Sequence, residues 1–264
     1  MTALMGLDVR LRTARLYLST DLRTELGDFA SFVDKAFAGG VDILQVRQDD
    51  ATDEQLLEAL DLARTVAYHY QGLVVVNGSP TLAKQFSADV LHLSQADPMP
   101  KVARPMLHQW ALIGQSAHDE DQVNAAAVDQ EVNYLSIGPV YLSKAHPNYR
   151  APGHDLVRFT ATVQPPGDPA SKPWFASGGI DEDTIDDVLA AGARRVWVTR
   201  AITRAADAEA AARRLSRKLR EAWNEDPEMQ NFLSSVFRQG LQADPFIPVQ
   251  PKPSADGTPP PTIS

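Results

Sequence analysis

Eight short apolar runs, most of them rich in β-branched residues, recur along this chain with helical periodicity between them, and that alternation limits the folds open to it. The runs are Arg15–Ser19, Ile43–Arg47, Leu73–Asn77, Val90–Ser94, Ala111–Ser116, Tyr134–Gly138, Trp174–Ser177 and Arg195–Thr199. Runs this short and this apolar predict buried strands. Between them, Thr52-x-x-Gln55 predicts a capping box for a helix that places Leu56, Leu60, Ala63 and Ala67 on one face. Asp181 predicts a second helix start, ahead of Ile185, Val188 and Leu189, with Gly192 as the stop. A last core helix repeats Ala208, Ala211, Leu215 and Leu219. Strands separated by helices pair in parallel through right-handed crossovers. A count of eight favours a closed (β/α)8 TIM barrel over an open doubly wound sheet. The open sheet would carry glycines in its first turn, which here reads Ser19-Thr20-Asp21.

The barrel accounts for residues 1–225, and the remainder, 226–264, reads as a C-terminal extension. Eight of the 19 prolines fall between Pro227 and Pro261, and the closing PVQPKPSADGTPPPTIS has no periodic apolar face, so disorder is expected at its end. A short amphipathic helix over Met229–Phe237 is expected to be able to dock on the body. The absence of cysteine excludes a disulfide scaffold, a thiolate zinc site and a cysteine nucleophile. A net charge of −9, from 25 Lys and Arg against 34 Asp and Glu, argues against a nucleic-acid partner. No run of eighteen apolar residues occurs, and Arg10, Arg12 and Arg15 interrupt the segment where a signal peptide needs its apolar stretch. The expectation is a cytoplasmic chain with no membrane span. The oligomeric state stays open, a homo-oligomer included.

In such barrels the chemistry gathers at the C-terminal ends of the strands. That rule selects Gln45 and Arg47, Asn77, Gln95 and Asp97, Ser116 and His118, the loop from Gly138 to Gly153, Gly178-Gly179, and Thr199-Arg200. Glycines after strand seven and a hydroxyl and guanidinium after strand eight are the makings of a phosphate cradle, with a helix start behind them; a plain tight turn is the alternative. Gln45 and Arg47, two apart, face the same side of a strand, where Arg suits phosphate oxygens or else rests on the rim. Asp97 offers one hard oxygen for Mg²⁺, yet an aspartate before a helix is more often an N-cap. His118 at a strand end and His146 in the long loop could serve as acid or base, although a lone loop histidine is usually solvated or structural, while His92, within a strand, reads as a core or rim residue. No His-x-x-x-His or carboxylate pairing signals a transition metal, and no Gly-x-Ser-x-Gly elbow makes Ser116 a nucleophile.

Taken together the motifs resemble the thiamine-phosphate synthase family. The resemblance runs over about residues 12–205, through Gln45-Val-Arg47, Val75-Val-Asn77, Ala88 to Asp97, Ile113-Gly-Gln-Ser116-Ala-His118, Asn133 to Tyr141, Ser177-Gly-Gly-Ile180 and Ala191-Gly-Ala193. It implies a transferase of thiamine biosynthesis that joins an aminopyrimidine methyl diphosphate to a thiazole phosphate and releases diphosphate with Mg²⁺. By position it implies that Gln45, Arg47, Asn77 and Ser116 hold the pyrimidine diphosphate. Asp97 would then hold Mg²⁺, while Ser143, Gly179, Thr199 and Arg200 hold the thiazole phosphate. Arg47, Ser116, Lys144 and His146 are the groups it places nearest the reaction. The chain also departs from the family pattern. Asp49 stands where a lysine is usual, Gly78 where a metal-binding aspartate is usual, and Ser143-Lys144-Ala145-His146 where threonine-x-threonine-lysine is usual. Two cations and one carboxylate are thus absent from the predicted anion site, with Lys144, Arg150 or a protonated His146 as partial replacements. Two other readings share the barrel. One is a thiazole tautomerase that relies on His118; the other is a non-catalytic barrel that binds a thiazole or thiamine phosphate.

Overall fold

A computed structural model describes residues 5–141 and 151–242. Its centre is a closed barrel of eight strands in chain order, each parallel to its neighbour. They are β1 (Leu16–Thr20), β2 (Ile43–Val46), β3 (Leu73–Asn77), β4 (Val90–Leu93), β5 (Leu112–Ala117), β6 (Tyr134–Ile137), β7 (Trp174–Ser177) and β8 (Val196–Val198). β8 closes on β1 through the pairs Leu16–Val196, Tyr17–Trp197 and Leu18–Val198. All eight predicted strands are present, with ends that agree within one residue.

The helices are α1 (Leu7–Thr13), α2 (Phe29–Ala38), α3 (Asp53–Tyr70), α4 (Pro80–Phe86), α5 (Pro100–Ala103), α6 (Glu120–Val128), α7 (Gly153–Val163), α8 (Ile185–Ala190), α9 (Arg200–Thr203), α10 (Ala208–Glu225) and α11 (Pro227–Gln242). α3 starts at the expected capping box: Thr52 Oγ1 accepts from the Gln55 amide, and Gln55 Oε1 accepts from the Thr52 amide. The expected cap at Asp181 is corrected. Its carboxylate accepts from the Asp183 and Thr184 amides, which closes the turn before α8, and the helix begins only at Ile185. An aspartate side chain reaches amides two and three residues on, and here those amides still belong to the turn.

Alternation along the strands sorts the core into two layers. Tyr17, Ile43, Leu73, Val75, Val90, Leu112, Tyr134 and Phe175 point inward and fill the barrel. Leu16, Leu18, Leu44, Val46, Leu91, Ile113, Leu135 and Val196 point outward against the helices. Gly114 permits the tightest contact of the interior, because a Cβ there would lie 2.1 Å from the Tyr134 ring. Leu7 and Leu11 of α1 enter the N-terminal end of this interior. α11 lies beside them and buries Met229, Phe232 and Val236 against Trp223 of α10. Residues 243–264, on which the expected disorder falls, lie outside the described residues.

Candidate functional site

Toward the C-terminal ends of the strands the interior changes from apolar to polar, because the last inward position of most strands carries a side chain able to hydrogen-bond. These are Ser19, Gln45, Asn77, His92, Ser116, Ser136 and Ser177, and all seven line one cavity of about 690 Å³. Arg47, His118, Gly178, Gly179, Asp181, Thr199 and Arg200 also line it, with Trp197 from β8. The structure therefore brings together Gln45, Arg47, Asn77, Ser116, Gly179, Thr199 and Arg200. Gln95 lies behind the wall, where its Nε2 donates to the Ser116 carbonyl. Ser143, Lys144, Ala145, His146 and Arg150 lie outside the described residues.

Beneath the cavity the polar groups are tied to one another. Gln45, 1% exposed, accepts from the Tyr17 hydroxyl at 2.5 Å and donates to Asn77 Oδ1 at 2.8 Å. His92 stands between Tyr134 and Ser116, with Nδ1 3.1 Å from Tyr134 Oη and Nε2 2.9 Å from Ser116 Oγ. Burial first, and the proximity of His118 second, push the His92 imidazole down to about 3, so it stays neutral across the physiological range. Burial likewise pushes both tyrosine hydroxyls upward, so they remain protonated donors. Ring packing holds the assembly rigid: Trp197 stacks on Tyr17 at 4.2 Å and meets His92 edge-on at 4.8 Å. His118 Nδ1 donates to the Gly138 carbonyl at 2.7 Å, which leaves Nε2 as the ring nitrogen outside that bond.

The cations of the mouth are exposed. Arg47, just past the end of β2, forms a two-pronged pair with Asp49 at 3.0 and 3.3 Å, and Arg47 holds the Asp49 carboxyl below its ordinary range. Arg200 forms no ion pair among the described residues. The amides of Gly179 and Ile180, and those of Arg200 and Ala201, donate to no backbone acceptor among the described residues. The helix start expected directly behind the glycines is corrected. A turn over Asp181–Thr184 separates Gly178 and Gly179 from α8, and the segment after Thr199 is only the four-residue α9. An anion here would therefore meet loop amides and the Arg200 side chain, with no long helix dipole behind them.

Asp97 stands outside the cavity wall. Its Oδ2 accepts from the Ser94 amide at 2.7 Å, which folds the loop after β4 back on itself. The helix cap weighed for it is corrected, since the residue that precedes α5 is Met99. The carboxylate lies against Gly78, where an added Cβ would sit 3.2 and 3.4 Å from its two oxygens. Among the described residues no three His, Cys, Asp or Glu side chains gather as a metal cluster.

Comparison with known proteins decides the family. The profile described as thiamine monophosphate synthase matches residues 16–202. A thiamine-phosphate synthase of Mycobacterium marinum is 46% identical over 219 residues, which cover 80% of this chain and 97% of that protein. One from Streptomyces avermitilis is 44% identical, covering 81% and 97%. Among solved structures, a thiamine phosphate pyrophosphorylase from Pyrococcus furiosus superposes with a TM-score of 0.69 at 25% identity, over 81% of this chain and 98% of that one. The chain belongs to the thiamine monophosphate synthase family. Its activity class is that of these relatives, a transferase of thiamine biosynthesis. Its barrel spans nearly the full length of these synthases, and α11 lies beyond the matched residues.

Placed within the thiamine monophosphate synthase family, the departures acquire a geometry. Where the family resemblance implies an aspartate, Gly78 leaves the position beside Asp97 without a carboxylate, and where it implies a lysine, Asp49 puts a negative charge onto Arg47. His92, expected as a core or rim residue, lies in the layer under the site, and Tyr17, Tyr134, Ser136, Ser177 and Trp197 join the site without having been expected there. A signal existed for the serines, since each is a polar residue on an inward position near a strand end. No comparable signal marks Trp197 or the tyrosines, whose importance comes from neighbours on other strands.

Proposed function

We propose that the mouth of this barrel is a thiamine-phosphate synthase site. The observation that carries the reading is the convergence of Gln45, Asn77 and Ser116, linked to buried tyrosines and His92, with the Gly178–Gly179 loop and Arg200 on one cavity. In the reaction, the bond from the pyrimidine methylene carbon to the diphosphate oxygen breaks and its electron pair leaves with diphosphate. The thiazole nitrogen then supplies the pair that forms the new carbon–nitrogen bond. The protein's part is to hold both reactants in line and to donate hydrogen bonds to the departing oxygens. Arg47, Asn77 and Ser116 serve the diphosphate, while Gly179, Thr199 and Arg200 serve the thiazole phosphate.

Mg²⁺ is the ion this reading implies, and it would be held chiefly by substrate oxygens, because Asp97 stands outside the cavity wall with Oδ2 already accepting from the Ser94 amide. Asp97 offers one carboxylate, and Mg²⁺ commonly takes one or two carboxylates together with phosphate oxygens. When bound, the ion would supply neutralisation of diphosphate charge. The expected substrates are small phosphorylated molecules, and no described helix is long and apolar enough to cross a membrane. His118, with Nδ1 engaged and Nε2 available, supports a second reading as a tautomerase of the thiazole moiety.

The test is incubation of the full chain with the pyrimidine diphosphate, thiazole phosphate and Mg²⁺, with thiamine phosphate and diphosphate measured together. Equal amounts of both are expected. No product above a protein-free blank, with thiazole phosphate still binding by calorimetry, would remove the synthase reading.

A further inference from the structure

Two short hydrogen-bonded chains run beneath the cavity, and each ends on a residue that faces it. One passes from the Tyr17 hydroxyl to Gln45 Oε1 and from Gln45 Nε2 to Asn77 Oδ1. The other joins Tyr134, His92 and Ser116. Their contact is the 3.5 Å separation of the two tyrosine oxygens.

A neutral imidazole has one N–H and one lone pair, so its two partners must be of opposite kind. If Nδ1 carried the proton, it would donate to Tyr134 Oη. The Tyr134 proton would then have only the Tyr17 oxygen at 3.5 Å, and Ser116 would spend its own proton on Nε2. If Nε2 carries the proton, Tyr134 donates to Nδ1 at 3.1 Å and Nε2 donates to Ser116 Oγ at 2.9 Å. Every buried proton then has a partner at ordinary distance, and a poorly bonded buried donor is avoided. The Ser116 proton is left for the cavity. On the other chain, Gln45 occupies the Asn77 carbonyl oxygen, so the Asn77 amide is also available as a donor.

We propose that His92 and Tyr134 are positioning residues that fix the Ser116 hydroxyl as a hydrogen-bond donor toward an anionic oxygen of the substrate diphosphate. The proposal rests on the synthase reading above. Burial supports it by keeping His92 neutral, so the arrangement persists at every pH at which the enzyme would work.

The test combines one spectrum with three variants of the full chain. Long-range proton–nitrogen correlation of the imidazoles should show His92 protonated at Nε2 and bare at Nδ1 between about pH 6 and 8, a range chosen to bracket neutrality. The opposite tautomer overturns the proposal without recourse to any variant. Tyr134→Phe keeps the ring that packs on Tyr17 and Phe175. It should lower kcat about tenfold with KM for thiazole phosphate unchanged, a size usual for a residue acting through another. His92→Gln, whose amide nitrogen replaces Nε2, should retain kcat within about threefold, whereas His92→Asn should lose at least about tenfold. Equal loss in both, or an unchanged kcat in Tyr134→Phe, overturns the proposal. A wild type that makes no thiamine phosphate removes the synthase reading itself, a result distinct from those.

Discussion

At the N-terminal end of the barrel Arg195 is 1% exposed, whereas at the C-terminal mouth Arg47 and Arg200 stand in solvent. Arg195 donates to the Ala14 carbonyl at 3.1 Å and the Arg12 carbonyl at 2.9 Å, and its guanidinium lies over Trp223 and Phe232. Burial, followed by repulsion from Arg12 and Arg15, lowers it to about 9, still charged at neutral pH. It is satisfied by the protein and closes the floor beneath α11. The mouth arginines have little protein to satisfy them; Arg47 has only exposed Asp49, and an exposed pair of this kind is worth little. The same residue type thus serves packing at one end and remains available for anions at the other. Desolvation makes the difference: a buried guanidinium must be fully bonded at once, while an exposed one can exchange water for ligand.

The largest expected effect comes from breaking the floor. Arg195→Ala should cost about 3 kcal/mol of stability by removing packing on Trp223 and Phe232 and two carbonyl bonds. Differential scanning calorimetry should show a lower Tm, with KM for both substrates unchanged; an unchanged Tm would refute the floor's role. Arg200→Ala should do the reverse, leaving Tm alone and raising KM for thiazole phosphate about tenfold.

A pH titration sharpens the contrast at the level between floor and mouth. The folded chain holds His92 at about 3 against an ordinary 6.5, so the unfolded chain binds more protons between those values. Stability is therefore fully present above about pH 6.5 and falls as pH drops toward 3, by about 1.4 kcal/mol per pH unit for this group. Denaturant melts of wild type and His92→Gln should converge as pH falls; parallel curves would show that His92 is not buried neutral.

Adding charge back to the mouth should shift activity by as much as Arg200→Ala does, in the opposite direction. Asp49→Lys with Gly78→Asp frees Arg47 and sets a second carboxylate beside Asp97, and should raise kcat/KM about tenfold. Residue 78 has φ +69°, which aspartate adopts at modest cost. A flat response in the coupled assay would mean that these two positions do not limit the reaction.

The strands were legible because each is an apolar run bounded by turns, and the barrel followed from counting them. The mouth was legible in part: Gln45, Arg47, Asn77, Ser116, Gly179, Thr199 and Arg200 follow from the strand-end rule, and all line the cavity. Asp97 follows from the same rule, yet its carboxylate is turned onto Ser94 and Gly78 beside the cavity. The hidden part was the layer beneath. Tyr17, His92 and Tyr134 come from β1, β4 and β6, and nothing local to any one of them announces that their polar atoms meet.

By itself the sequence determined the eight-strand alternation, the family and the polar strand ends, because periodicity, capping and short motifs are encoded within a few residues. The tertiary structure decided which atoms those residues offer. It set the partner of Arg47, the carboxylate beside Gly78 and the two sides of the His92 ring, because hydrogen-bond direction depends on neighbours brought from distant strands.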